Sequence, residues 1–290
     1  MISFLDTSLI FEILRSTFLF EIGGFNLPGE LPPKDEMEDV IRRIIASVLL
    51  LVALCLLSFW QKLRMEKLFV FSYIRGFLQI IFMAAILIIL FGLKEILILF
   101  GVLLFMCAFS AYTTKARFPS YPNILNQSMI SITVGSFIVM VIVVAVDIIP
   151  SEGSYVIPLG AMVVSNAMVI TNIVIERFTS SLQKSKGMIE AALSLGDSAS
   201  NSVRIFRQEA FRAGLLPSTN RVAILGIVNI PGLMAGMIIG GANPIVAAVY
   251  QVIIFLMLMT AAFISMVIMV KLLLNDLFTD EDQLKATLPS

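Results

Sequence analysis

The fold class that this sequence predicts is an all-α, polytopic membrane protein with about seven transmembrane helices. Three observations carry it. Hydrophobic residues make up 59% of the 290 residues and charged residues only 14%, where soluble domains carry about 25% charged residues. Mean hydropathy is +0.98, which belongs to integral membrane proteins. Apolar stretches near the ~20 residues that a bilayer requires recur along the chain.

Lysine plus arginine and aspartate plus glutamate balance at 20 each, so net charge indicates no partner and gives no sign of nucleic-acid binding. The chain has no histidine, which excludes His triads, His-ligated zinc and His-held haem. Cys55 and Cys107 both fall in expected spans, where small core residues are expected rather than a disulfide framework.

Residues 1–22 are apolar but carry Asp6, Glu12, Arg15 and Glu21, without a basic leader or cleavage site. They are expected as an amphipathic helix on the membrane. With the acidic linker KDEMED, they form an N-terminal extension over 1–38. A transmembrane domain is expected over 39–275 and a cytoplasmic tail over 276–290. Spans are placed near 40–60, 68–91, 95–112, 125–148, 155–177, 219–240 and 244–272.

Basic residues alternate between loops. Lys62, Arg64 and Lys67 follow the first span, Lys115 and Arg117 the third, and Arg177 through Arg221 the fifth. The positive-inside rule then puts the N-terminus outside and the C-terminus inside. From Tyr155 to Leu195 there is no proline after Pro158, so one helix of roughly 60 Å is expected, about half of it in the cytoplasm. Gly196 is placed to end it, and Asp197 or Ser198 to cap the next.

The segment 178–218 is expected to be cytoplasmic. Its helix 199–213 sets Val203, Phe206, Ala210 and Ala213 on one side and Arg204, Gln208 and Arg212 on the other, with Ile205 and Phe211 flanking. Periodicity leaves two readings open, a surface helix packed on its own protein and a docking helix with exposed apolar knobs.

In span six, Gly232, Gly236 and Gly240 recur every fourth residue, a row that admits another helix closely. Pro231 removes a backbone donor and is expected to orphan the Ile227 carbonyl in a kinked helix, with Asn229 beside it. A packing seam and a substrate-facing hinge both fit. Arg75 and Gln79 share a face of span two, either lining a path or snorkelling to the interface. Asn166 and Asn172 in span five and Gln251 in span seven are further polar residues within spans.

Span interiors hold no acidic residue, so proton-relay transport is disfavoured, although an ion-coupled transporter stays an alternative. No phosphate-binding loop occurs, so any ATPase is a separate subunit. Seven spans also fit a receptor or light-driven protein, but the lysine in span seven, Lys271, lies at its end. Methionine is abundant at 16 residues. Met162, Met168, Met234 and Met237 could offer soft thioether ligands or could be apolar filler.

The stretch GMIEAALSLG (187–196) resembles the EAA signature with which ABC-transporter permeases dock on their ATPase, through Glu190, Ala191, Ala192 and Gly196. Leu216 and Pro217 close it farther along than in importers. RGFLQ (75–79), VIPLGAMVVSNAM (156–168), LSLG (193–196), FRAGLLP (211–217), GIVNIPGLMAG (226–236) and Tyr250-Gln251 together resemble the FetB-type permeases and the plant aluminium-sensitivity permeases. Asn229 and Leu233 depart from that pattern, where a serine and a methionine are usual.

The resemblance implies the membrane half of an ATP-driven exporter of a metal ion such as iron. It implies a homodimer in the plasma or inner membrane, paired with a FetA-like ATPase. ATP and magnesium would sit on that partner and no cofactor on this chain. It also implies ATPase coupling through Glu190, Ala191, Gly196, Arg204, Ile205, Arg207, Phe211 and Arg212. A substrate path would run by Arg75, Gln79, Asn166, Asn229, Pro231 and Gln251.

Overall fold

The computed structural model describes residues 34–90 and 95–279. The expected N-terminal extension falls outside them except for 34–38, and the tail except for 276–279. The described residues divide after Leu90 into two compact units.

The first unit is a helical hairpin. α1 runs Lys34–Trp60 and α2 runs Glu66–Leu90. Lys62 and Arg64 take left-handed backbone at φ 56° in the turn between them. Ser58 holds that turn: its Oγ donates to Glu66 Oε1 at 3.0 Å and accepts from the Met65 amide at 3.3 Å. Farther up, the Ser47 and Tyr73 hydroxyls meet at 2.6 Å.

The second unit contains α3 (Ile96–Arg117), α4 (Ile124–Ala145), α5 (Gly153–Lys184), α6 (Lys186–Ser194), α7 (Ala199–Ser202), α8 (Arg204–Ala223), α9 (Gly232–Ile239) and α10 (Pro244–Leu277). No strand forms among the described residues. Among the described residues, five helices are long and apolar enough to cross a membrane: α2 over Glu66–Ala84, and α3, α4, α5 and α10 over their full lengths. The apolar part of α1, Ile44–Trp60, is shorter. The protein is thus a multi-pass membrane protein.

Glycine sets the packing of this unit. A Cβ on Gly135 of α4 would strike Ser265 Oγ and come within 2.6 Å of the Ala261 carbonyl on α10. Leu103 of α3 packs directly onto Gly160 of α5, and a Cβ on Gly214 of α8 would stand 2.6 Å from a Val174 methyl of α5. Without a hydrophobic force between helices in lipid, such close backbone approach is what gains dispersion contact.

The directions of the helices follow from their pairings. Gln127 meets Leu272, Ser131 meets Met269, and Gly135 meets Ala261, so α4 and α10 are antiparallel. Leu103 faces Gly160 and Thr114 bonds Asn172, so α3 and α5 are parallel. A buried cluster of Phe178, Leu182, Ile189, Val203, Val270 and Leu273 joins the late halves of α5 and α10 to α6 and α8. The first half of α8 belongs to that cluster, and Gly214 lies against Ile170 and Val174 farther up α5. Hence α8 runs back antiparallel to α5.

Three expectations change. The long fifth helix is interrupted at Ser185, which sits at φ −111° and ψ 19° and ends α5 while starting α6. The turn lets Ile189 fold back into the cluster, which a straight rod would have denied it. Gly196, at φ 91°, does end α6: its amide bonds the Leu193 carbonyl, and the Asp197 amide bonds that of Ala192, a Schellman closure. Ser198 caps α7 through its Oγ at 3.4 Å from the Asn201 amide.

The amphipathic helix expected over 199–213 is split at Val203, and its second part, α8, continues through Pro217 to Ala223. The sixth span expected over 219–240 is not a helix throughout. It is the end of α8, an unwound stretch over 224–231, and α9.

Replacing Gly135 by Ala should force α4 from α10 and lower the melting temperature in detergent, at a cost of about 1–3 kcal/mol. Gly232→Ala, which meets nothing within 4 Å, should melt as the parent does. Equal melting of the two variants would contradict the packing described.

Candidate functional site

The unwound stretch is the most unusual backbone in the second unit. Three turn-forming residues account for it. Gly226 adopts φ 78°, a conformation that costs a glycine little. Its amide donates to the Asn229 carbonyl at 3.1 Å, while the Val228 and Asn229 amides both donate to the Ile224 carbonyl at 3.2 Å. Leu225 and Asn229 pair in a single bridge. Pro231, extended at ψ 145°, caps α9, and its carbonyl accepts from the Ala235 amide at 3.0 Å.

The sequence expectation of an orphaned Ile227 carbonyl in a kinked helix is therefore corrected. Ile227 lies in the loop, 89% exposed, so no helical bond at its carbonyl exists for Pro231 to remove.

The depth of this loop follows from the helices beside it. Arg221 is seven residues past Gly214, about 10 Å farther at 1.5 Å per residue. Carried antiparallel from Ile170 and Val174, it reaches the level of α5 residues 163–167. Asn166 is at that level, donating from Nδ2 to the Leu258 carbonyl of α10 at 3.0 Å. Both helices cross the membrane, so α8 carries Asn220 and Arg221 toward mid-bilayer. α9 packs on α10. Irregular backbone at such depth persists only against protein or beside a water-filled cavity.

Gln251 lies on α10 two turns before Leu258. It is buried, and its Oε1 has no hydrogen-bond partner among the described residues. Asn172, by contrast, is satisfied by Thr114 Oγ1 at 2.9 Å. Arg75 and Gln79 are exposed on α2, in the other unit. Gly232 and Gly236 have open space where a Cβ would stand, and Gly240 touches only carbonyls of its own turn. The glycine row therefore packs on nothing among the described residues.

The thioethers do not converge into one site. Met168 packs against Cys107, Ile132, Val164 and Ala167. Met162, Met234 and Met237 are half-buried, one on α5 and two on α9. No group of three or more His, Cys, Asp or Glu occurs among the described residues.

In the segment before α8, Glu190 pairs with Lys186 at 3.7 Å, and Ala191 and Gly196 are exposed. Arg204 and Arg212 are exposed, Ile205 is 63% exposed, and Arg207 is half-buried. Phe211 is not the exposed knob that periodicity suggested. It packs against the main cluster, because α8 lies along α5 and α10 rather than projecting from them. Leu195, 90% exposed, and Met188 are apolar knobs that a periodicity reading missed. Leu195 protrudes because the Schellman turn at Gly196 reverses the chain beside it.

Two polar clusters were also invisible in the sequence. Asn123 and Gln127 both donate to Asp276 Oδ2, at 2.9 and 2.7 Å, pinning the start of α4 to the end of α10. Arg117 bonds Glu176 at 2.9 Å beside a cleft of about 300 Å3 that Tyr121 and Thr179 also line. Burial raises the Tyr121 phenol above its ordinary pKa, with Thr179 opposing.

Gln127→Leu should cost about 1–3 kcal/mol in a denaturant or thermal series, because a charged acceptor loses a donor. Gln251→Leu should cost nothing or stabilise, since it removes an unpaired acceptor. A Gln251→Leu loss as large as that of Gln127→Leu would show an unseen partner.

The sequence profile described as "Uncharacterised protein family (UPF0014)" matches residues 41–278. The chain is 28% identical to the UPF0014 membrane protein STAR2 of Oryza sativa subsp. japonica, over 87% of this chain and 88% of the relative. It is 28% identical to the protein ALUMINUM SENSITIVE 3 of Arabidopsis thaliana, over 86% and 91%. It is also 28% identical to the probable iron export permease protein FetB of Escherichia coli strain K12, over 83% and 93%. No solved structure matches the chain. With a profile match across most of its length, this chain belongs to the UPF0014 family.

Proposed function

We propose that the chain is the permease subunit of an ATP-driven, ABC-type exporter of a metal ion such as iron. The observation that carries this is the junction at α8. One continuous helix joins a polar segment with exposed knobs to an unwound backbone at membrane depth. A subunit that pushes on Arg204 and Ile205 has a stiff lever, α8, leading to the loop at Asn229 and Pro231. The relative named as a probable iron export permease supports the cargo class.

In this reading the chain crosses seven times. α1 to α5 make five crossings, α8 with α9 makes the sixth through the break, and α10 makes the seventh. The basic loops face the cytoplasm, with the N-terminus outside. The partner is a separate ABC-type ATPase that carries ATP and magnesium. Two permeases pair, and the open row of Gly232, Gly236 and Gly240 is the surface that a second copy can approach closely.

Arg204→Glu with Ile205→Glu should abolish co-purification with the ATPase while the permease inserts and melts normally. Unchanged co-purification rules out the docking role. Phe211→Glu is expected to lower stability instead, since Phe211 belongs to the core.

Pro231→Ala and Asn229→Val should leave ATP hydrolysis by the complex intact and abolish metal efflux from loaded vesicles. Normal efflux by both variants would make the break architecture rather than gate.

A further inference from the structure

Arg221 is at odds with the path of a bare cation. It is an exposed, fully charged side chain in the last turn of α8. The helix dipole favours a cation in a last turn, which explains the charge but not its depth. Arg221 lies level with Asn166, some 10 Å past the Gly214 contact. From mid-bilayer, the interface is about 15 Å away, beyond the reach of an arginine that snorkels. An arginine at that depth needs water or an anionic partner.

No partner is present among the described residues of the second unit. Arg221 makes no ion pair or hydrogen bond with another described residue, and none of their carboxylates on α5 or α10 lies at its level. The nearest acidic residue along α5 is Glu176, about 15 Å from Asn166 and already bonded to Arg117. α3, α4 and α9 carry no acidic residue, and Asp276 sits at the far end of α10, bonded to Asn123 and Gln127. Beside Arg221, Asn220 is exposed, and the unwound loop begins three residues later.

We propose that Arg221, with Asn220, is an anion-recognising position at the break in span six, and that the cargo passes it as an anion bearing carboxylate or phosphate oxygens. This rests on the permease reading and gives its substrate class. A metal ion would then cross inside an anionic chelate and not as the hydrated cation. Guanidinium suits carboxylate and phosphate oxygens through paired donors, and the neighbouring amide adds a further donor. The same charge repels a hydrated divalent cation, which the break offers no carboxylate to offset.

The first measurement needs no cargo. In the full chain with Cys55 and Cys107 replaced by Ala, Asn220→Cys is reacted in proteoliposomes with an anionic and with a cationic methanethiosulfonate. The anionic reagent should react several-fold faster, and adding Arg221→Gln should remove that preference. Reaction with neither reagent, or equal rates with Arg221 present, overturns the proposal.

The second measurement is a thermal shift of the purified chain. The probes are citrate-chelated iron(III), free citrate, inorganic phosphate and iron(II) chloride. The chelate, citrate or phosphate should stabilise the wild type, and the pattern tells a carboxylate from a phosphate preference. Arg221→Gln should weaken that binding about tenfold or more, and Arg221→Lys should retain most of it. Stabilisation by iron(II) alone overturns the anionic cargo yet leaves the metal permease standing. Failure of the ATPase to co-purify would instead remove the permease reading and leave the reagent result intact.

Discussion

In lipid, neighbouring helices gain nothing by hiding from water, so their hold on one another depends on how closely their backbones approach. The second unit meets that constraint with three glycines, one on each of three contacts. Gly135 lets α10 against α4, Gly160 accepts Leu103 of α3, and Gly214 brings α8 against α5. The position of α8 follows from the last of these. Were Gly214 bulky, α8 would lift from Ile170 and Val174, and the residues after it would lose their defined depth.

Hydrogen bonds then fix the ends. The Thr114–Asn172 bond ties α3 to α5, and the Asn123–Gln127–Asp276 group ties α4 to α10. Interhelical bonds in membranes are worth about 0.6 kcal/mol on average, so the Thr114–Asn172 bond specifies register more than it adds stability, while the bonds to the Asp276 carboxylate add more. The Asn123–Gln127–Asp276 group sits at helix ends, where the main cluster packs. In the middle of the unit the Asn166–Leu258 bond joins α5 to α10, and there the unsatisfied Gln251 Oε1 and the unwound loop are also found.

In the proposed permease, a packed end and a broken middle would couple docking to the break. α8 is anchored through Val203 and Ala210 in the cluster, passes the Gly214 contact and stops where the backbone unwinds. Between Gly214 and Ile224 the one weak point of the helix is Pro217, which lacks a backbone donor.

Composition and patterning determined the class and most crossings, because apolar runs of spanning length have few other stable fates. Observed α3, α4, α5 and α10 begin within two residues of the expected spans at 95, 125, 155 and 244. Gly196 as a stop and Ser198 as a cap were legible too, since each acts through its own backbone or side chain. Tertiary structure alone decided the rest. Phe211 turned inward because α8 lies on the bundle, which periodicity on an isolated helix cannot show. The interruption at Ser185 carries no breaker residue; it exists because Ile189 gains a buried site. The glycines that pack, 135, 160 and 214, form no sequence row, while the regular row at 232, 236 and 240 meets nothing in the described chain. The depth of Arg221 is likewise a property of packing: its sequence neighbours read as a polar loop, and only the contact of α8 with α5 carries them into the membrane.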